Sequence, residues 1–369
     1  MQILYEINKM RFVTMEQFRM ISGYGKSYTF EKSREYQRLG VMTKKELKGS
    51  KYYINKQRQG VYMKLTQKGM NHIRKHGYEV ISTAQANNAI KHERIVSILK
   101  TNDLALELVN YGWEFYDGRV AKKLYKNTIR NAILHGLFNS PGQQREYGFY
   151  MLISEDNEKT IDIIKQQTPD IAQLTNYMIA TRTSSAVRST IKNLDAPTVK
   201  IYGQNINKLQ VGGKLRVMPI GFAQIYLPIS NDVKEKHKQF IEMLGFQVLV
   251  DMDNKKIVQQ HNLSRRRFDY VVRYSDYAEH KGEDFYLVDM LDNDLTKLRE
   301  IAEYSESEYE SDTRKVIVLT TNQACHKPIH ELYLLGKHFI FHPIKLKYVQ
   351  KIKNHLYPDV VVPDRSLKK

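Results

Sequence analysis

The spacing of apolar residues changes twice within the first 78 positions, from helical to extended and back, and this order constrains the fold more than any other feature. Ile3, Leu4, Ile7, Met10 and Phe12 recur at helical spacing, which predicts a first helix over residues 2–11 with one buried face. Thr14 followed by Gln17 has the pattern of a capping box and opens a short second helix that buries Phe18 and Ile21. Ser22-Gly23-Tyr24-Gly25 reverses the chain, Ser27 is the expected cap of a third helix running to Leu39, and Gly40 ends it. The pattern then becomes extended: Val41-Met42-Thr43, Tyr52-Tyr53-Ile54 and residues 61–65 read as strands. Thr66 caps a last helix that carries Met70 and Ile73 and ends near Gly77.

A short helix, a turn, a second helix and a hairpin make a winged helix-turn-helix, in which the later helix enters the DNA major groove. At 100° per residue, Tyr36 and Leu39 are expected on the buried side of the third helix, and Ser27, Glu31, Arg34 and Arg38 on the outward side, next to Tyr28. Arginine can grip guanine bidentately, and Ser or Glu can contact other base edges, so this stripe has the chemistry of base readout. Lys44, Lys45, Lys48, Lys51, Lys56 and Arg58, punctuated by Gly49 and Gly60, suit a wing laid along phosphates. Tyr52, Tyr53 and Tyr62 are expected to pack the wing, because duplex DNA exposes few base faces.

Charge follows the same division. The chain of 369 residues has a formal net charge of +18, and residues 1–78 hold 17 Lys and Arg against five Glu, a net of +12. A polyanion is therefore the expected partner, met by the amino-terminal part. Cys325 is the single cysteine, which excludes an intramolecular disulfide and a cysteine-based zinc site and suits a reducing compartment. Polar Glu6, Lys9 and Arg11 near the amino terminus, and no run of 18 apolar residues, give the expectation of a cytoplasmic protein with no membrane segment.

The length suggests two or three domains. The expected division is a winged helix-turn-helix domain over 1–79, a helical connecting segment over 80–140, and an α/β domain over 141–369, starting after the polar break at Asn139-Ser140-Pro141-Gly142. The fold class is thus α+β. In the last part, strands at 149–153, 199–202 and 222–229 and helices at 158–173 and 233–244 are expected. Over 265–345 the order sharpens to strand 268–274, strand 285–291, helix 295–304, strand 316–320, a further helix, and strand 339–341.

That order resembles the restriction-endonuclease-like core, which implies an Asp in the first strand and an acidic-x-Lys triplet in the second. Asp269 and Asp289 take the two acidic places and are the metal-ligand candidates. The triplet is Asp289-Met290-Leu291, so Leu stands where the Lys is needed, and an inactive core used for assembly or DNA placement is the expected reading. Separately, Val41-Met42 after Gly40, and Tyr62-Met63-Lys64-Leu65-Thr66-Gln67-Lys68-Gly69, resemble the replication-relaxation family of Gram-positive plasmid proteins. The resemblance covers about a fifth of the chain and implies a mobile-element role in replication or conjugation.

Other motifs fail. Gly25-Lys26-Ser27 lacks the glycine of a P-loop, since Met20 stands at its place. His338 with His342, and Cys325-His326 with His330, fall short of a metal-ligand set, and core or solvated histidines are expected. The sequence reading is a non-enzymatic, sequence-specific double-stranded DNA-binding protein of a plasmid or other mobile element, acting at a replication or transfer origin or at a promoter, with no catalytic residue and no cofactor. Its other partners would be replication or transfer proteins and a second copy of the chain. The alternatives are a metal-dependent nuclease targeted by the winged helix, and a transcriptional regulator whose α/β part senses a ligand or partner.

Overall fold

A computed structural model describes residues 1–47, 60–81, 87, 90–125, 133–154, 157–169, 171, 173–196, 209–230, 233–260, 263–264, 266–274, 282–321 and 326–360. The expected strand at 52–54 and the strand at 199–202 lie outside the described residues, as do Gly49 and Cys325. The chain is mixed α+β and divides into two compact units, residues 1–139 with 147–154, and residues 140–146 with 155–369.

The first unit opens with α1 (Gln2–Met10), α2 (Met15–Ser22), α3 (Lys26–Arg38), the antiparallel pair β1 (Met42–Leu47) and β2 (Gly60–Leu65), and α4 (Gln67–Lys75). Of the apolar set read from the sequence, Leu4, Ile7, Met10, Phe12, Phe18, Met70 and Ile73 are buried, whereas Ile3, Ile21 and Tyr36 are only partly so. The Thr14 hydroxyl accepts from the Gln17 amide while the Gln17 side chain accepts from the Thr14 amide, which is the reciprocal capping box expected. Val13 adds a third extended segment to the hairpin by exchanging backbone hydrogen bonds with Met63.

Two local expectations change. Ser27 does not cap α3, because the helix starts one residue earlier behind Gly25, and Leu39 is half exposed rather than buried. Thr29 and Ser33 form the buried side of α3; Ser33 lies against Met63, and so small polar residues let the helix approach the hairpin closely.

Gly69 marks another close approach. A Cβ there would lie 2.1 Å from the Val41 carbonyl oxygen, and Thr66 ties the same segment by accepting from the Gly69 amide and donating to the Gly40 carbonyl. Gly69→Ala is therefore expected to lower the stability of this unit by about 1–3 kcal/mol, read as an earlier transition in urea.

The stretch expected to be a helical connector begins with α5 (His92–Val109) but continues as β3 (Glu114–Asp117), the short helix α6 (Gly118–Leu124) and β4 (Gly136–Asn139), followed by β5 (Glu146–Leu152). It is not a linker. Asn102 donates to the carbonyls of Met10 and Phe12, and the buried Gln17 donates to the Leu99 carbonyl and to Asp103, so α5 is part of the first unit's core.

The second unit contains α7 (Glu158–Gln167), β6 (Asn176–Thr181), α8 (Ser184–Asp195), β7 (Leu215–Pro219), α9 (Ile220–Tyr226), α10 (Lys234–Met243), β8 (Phe246–Asp251), α11 (Lys255–Gln260), β9 (Tyr270–Tyr274), β10 (Asp284–Asp289), α12 (Leu295–Ala302), α13 (Glu306–Asp312), β11 (Val316–Thr321), α14 (Lys327–Tyr333), β12 (Phe339–Ile344) and α15 (Leu346–Leu356). Residues 222–229, expected as a strand, belong mainly to α9; Phe222, Ala223 and Tyr226 are buried at helical spacing behind Pro219. The expected helix at 158–173 stops at Gln167.

Five strands form one sheet in the order β12-β11-β10-β9-β8, with β8, β9 and β10 antiparallel and β10, β11 and β12 parallel. β11 is buried on both faces and reads Val-Ile-Val-Leu-Thr-Thr, the near-continuous apolar run of a covered parallel strand. Because β9 runs antiparallel to β10, the residue just before β9 lies beside the end of β10, and the Asp269 amide donates to the Leu287 carbonyl at 2.9 Å. This topology sets Asp269 and Asp289 at one sheet end.

Candidate functional site

In the first unit, Ser27, Tyr28, Glu31, Arg34 and Arg38 are all exposed on α3, as the periodicity requires. Among the described residues, Glu31, Arg34 and Arg38 have no ion pair or side-chain hydrogen bond. Tyr28 differs from them. It packs edge-on against Tyr24 at 4.7 Å and receives the Lys32 ammonium over its ring, so part of its surface is already engaged. Lys44 and Lys45 are exposed on β1, whereas Lys48, Lys51, Lys56 and Arg58 lie outside the described residues.

In the second unit, a cleft of about 100 Å³ opens at the end of β10, and Asp269 and Asp289 line it. The sequence puts Leu291 at the place of a catalytic cation. The fold brings one from elsewhere: Lys297, on the first turn of α12, reaches both Asp269 carboxylate oxygens at 2.7 and 2.9 Å and lies 3.3 Å from the Asp289 carbonyl. The Asp289 amide donates to Asp269 at 2.7 Å, which joins the two acids.

The buried Asp289 carboxylate is held from three sides. His237 of α10 donates through Nε2 at 2.8 Å, Tyr226 of α9 donates through its hydroxyl, and the Leu291 amide donates at 3.0 Å. On the other side of the ring, His237 Nδ1 and the Tyr270 hydroxyl are hydrogen-bonded at 3.1 Å. The turn after β10 is equally fixed: Asp294 caps α12, and Asp292 pairs with the buried Arg216 at 2.9 Å.

The electrostatics follow from this packing. Burial opposes ionisation of Asp289, but the hydrogen bonds from His237 and Tyr226 and the Lys297 charge outweigh it and hold the carboxyl below the usual range. Burial would likewise lower Lys297, yet Asp269, Asp292 and Asp294 reverse the effect and raise it. Asp292 is pushed up chiefly by burial, against the pull of Arg216. Tyr226 and Tyr270 are raised, first by burial and then by the neighbouring Asp289 and Asp269 respectively, so both hydroxyls remain proton donors. Arg145, Lys214 and Lys234 also line the cleft and add positive charge around the acids.

Neither Lys297 nor His237 was legible as a site residue. Lys297 carries one sequence signal: a cation on a first helical turn faces an unfavourable dipole, which asks for a compensating anion. Of the histidines weighed in the sequence, His326, His330 and His338 are buried in the core and His342 is half-buried. His330 bonds Thr320 and Asn293 at 3.0 and 2.9 Å, His326 bonds Thr321, and burial lowers the pair to about 3 and about 4. His338 bonds the Tyr304 carbonyl at 3.0 Å and His342 lies in β12. Among the described residues, no group of three His, Cys, Asp or Glu side chains is arranged to hold a metal ion, and no helix is long and apolar enough to cross a membrane.

Comparison with known proteins gives no matching family model, no matching curated protein and no matching solved structure.

Proposed function

We propose that this chain is a sequence-specific duplex-DNA-binding protein in which residues 1–79 act as a winged helix-turn-helix, with α3 as the reading helix and the β1–β2 hairpin as the wing. The observation that carries this reading is the exposed stripe of Glu31, Arg34 and Arg38, which has no partner among the described residues and lies in a segment of net charge +12. The biological setting we propose is a replication or transfer origin, or a promoter, of a plasmid or other mobile element, following the replication-relaxation resemblance.

The test is binding of the full chain to duplex DNA over a salt series. A fragment ending at residue 78 would lose the contacts of α5 to Gln17, Met10 and Phe12, so the whole chain is the right sample. Affinity is expected to fall linearly in log–log form with a slope of about −0.9 per phosphate contact, about 10³-fold between 50 and 200 mM for six contacts. Absence of binding at the lowest salt would remove the proposal.

One observation favours a second reading, a metal-dependent nuclease. Asp269, Asp289 and Lys297 converge in a cleft at the end of β10, on an order of strands and helices that resembles the restriction-endonuclease-like core. Mg²⁺ or Mn²⁺ takes one or two protein carboxylates and completes its shell with water and phosphate oxygens, so Asp269 and Asp289 fit as the ligands. When bound, the ion would polarise the phosphodiester and acidify a water. Lys297, whose ammonium is favoured by three aspartates, would stay protonated and stabilise charge developing on the phosphoryl oxygens, which excludes it as a general base. His237 and Tyr226 would fix the orientation of Asp289.

A further inference from the structure

α3 carries an anion on the face that would meet a polyanion. Residues 1–78 hold five glutamates, and three of them are neutralised by a cation three residues away: Glu6 pairs with Lys9 at 3.0 Å, Glu16 with Arg19 at 2.5 Å and Glu35 with Lys32 at 2.6 Å. Glu31 has the same spacing to Arg34, yet no ion pair joins them, and both are exposed without a side-chain hydrogen bond among the described residues. The fifth, Glu46, lies on β1. The helix does not account for the carboxylate either. Glu31 is the sixth residue of α3, beyond the first turn where the dipole favours an anion, and that first turn holds no acid. Thr29 and Ser33 are the buried residues of α3, and Glu31 is two positions from each, which at about 100° per residue places it on the side turned away from both.

We infer that Glu31 restricts the target to duplexes with a cytosine at one fixed position, by accepting a hydrogen bond from the cytosine N4 amine in the major groove. The inference rests on the DNA-binding reading and names what α3 reads. An ionised carboxylate can only accept hydrogen bonds. Guanine presents O6 and N7 in the groove and thymine presents O4, all acceptors, so both repel it. Adenine sets its N6 amine beside the N7 acceptor, an edge that suits the amide of Asn or Gln. Cytosine presents its N4 amine with no acceptor next to it, and so meets Glu31 by attraction alone.

Discrimination then has two sources. At the right base the carboxylate gains a charge-assisted hydrogen bond, and at every other base, or beside the phosphates of unrelated DNA, it adds repulsion. Arg34, three residues further along the same face, supplies the opposite chemistry, a donor fork for guanine. An anion left unpaired beside it therefore lowers general affinity for DNA and raises the preference for one site.

The full chain and its Glu31→Ala variant are each used to select bound duplexes from a library with a randomised core. Glu31 is exposed and alanine favours helix, so the variant keeps the fold. The unmodified chain is expected to enrich cytosine at one position where the variant does not, with the other selected positions unchanged. On the selected duplex Glu31→Ala is expected to bind about tenfold more weakly, and on a scrambled duplex roughly twofold or more tightly, because a charge that repels phosphates is gone. N4-methylcytosine at that position keeps its pairing with guanine and blocks the amine in the groove; it should weaken the unmodified chain about tenfold and leave the variant nearly unaffected. The inference is overturned if Glu31→Ala keeps the cytosine preference, if the preference it loses is for another base, or if it tightens both duplexes alike, which would mark Glu31 as a repelling charge with no base partner. Failure of the DNA-binding reading is distinct and is seen first, as no duplex binding by the unmodified chain at the lowest salt.

Discussion

Arg34→Ala is expected to weaken binding to the specific duplex by about 1–3 kcal/mol, roughly 5- to 150-fold, and to change binding to a scrambled duplex far less. The reason is geometric. Arg34 and Arg38 follow Ser27 by seven and eleven residues, which returns all three to one line on α3, and both arginines are exposed with no ion pair among the described residues. A guanidinium reaching a guanine edge discriminates between sequences, whereas a phosphate contact does not. Lys45→Ala, on the exposed face of β1 opposite Tyr62, is therefore expected to weaken both duplexes alike and to reduce the salt slope by about one. Competition binding with the two duplexes measures both. If Arg34→Ala weakens them equally, α3 is not the reading helix.

On the nuclease reading, Lys297→Ala is expected to lower Mg²⁺- or Mn²⁺-dependent nicking of the target DNA by about 10²–10³-fold, the loss usual when one donor to a developing oxyanion is removed. Asp289→Asn should abolish nicking, and Lys297→Arg should restore part of it by returning a cation beside Asp269. DNA binding measured in parallel should be unchanged in all three, since these residues belong to the second unit and the α3 stripe to the first. If the unmodified chain with metal leaves its target intact, the nuclease reading falls and the DNA-binding proposal stands.

The amino-terminal elements were legible because their signals are local. Thr14 and Gln17 are three residues apart, so the capping box needs nothing beyond its own turn, and Thr66 finds Gly69 across the same interval. The burial of Leu4, Ile7, Met10 and Phe18 follows from helical period alone. Leu39 misled because burial at a helix end depends on what packs there, and the hairpin meets α3 through Thr29 and Ser33 instead. Residues 222–229 misled because a short apolar run suits a strand and a buried helix equally.

By itself the sequence determined where positive charge gathers, which helix carries an outward stripe of arginines, and that Asp269 and Asp289 stand on successive strands. Tertiary structure decided what surrounds those acids. Lys297, Tyr226 and His237 stand 28, 43 and 32 residues from Asp269 and have no periodic relation to it, yet the antiparallel pairing of β9 with β10 and the packing of α9, α10 and α12 bring them to the same few ångströms. Periodicity and capping act over a turn of helix and can be read along the chain, whereas a charge cluster is a property of distance in space.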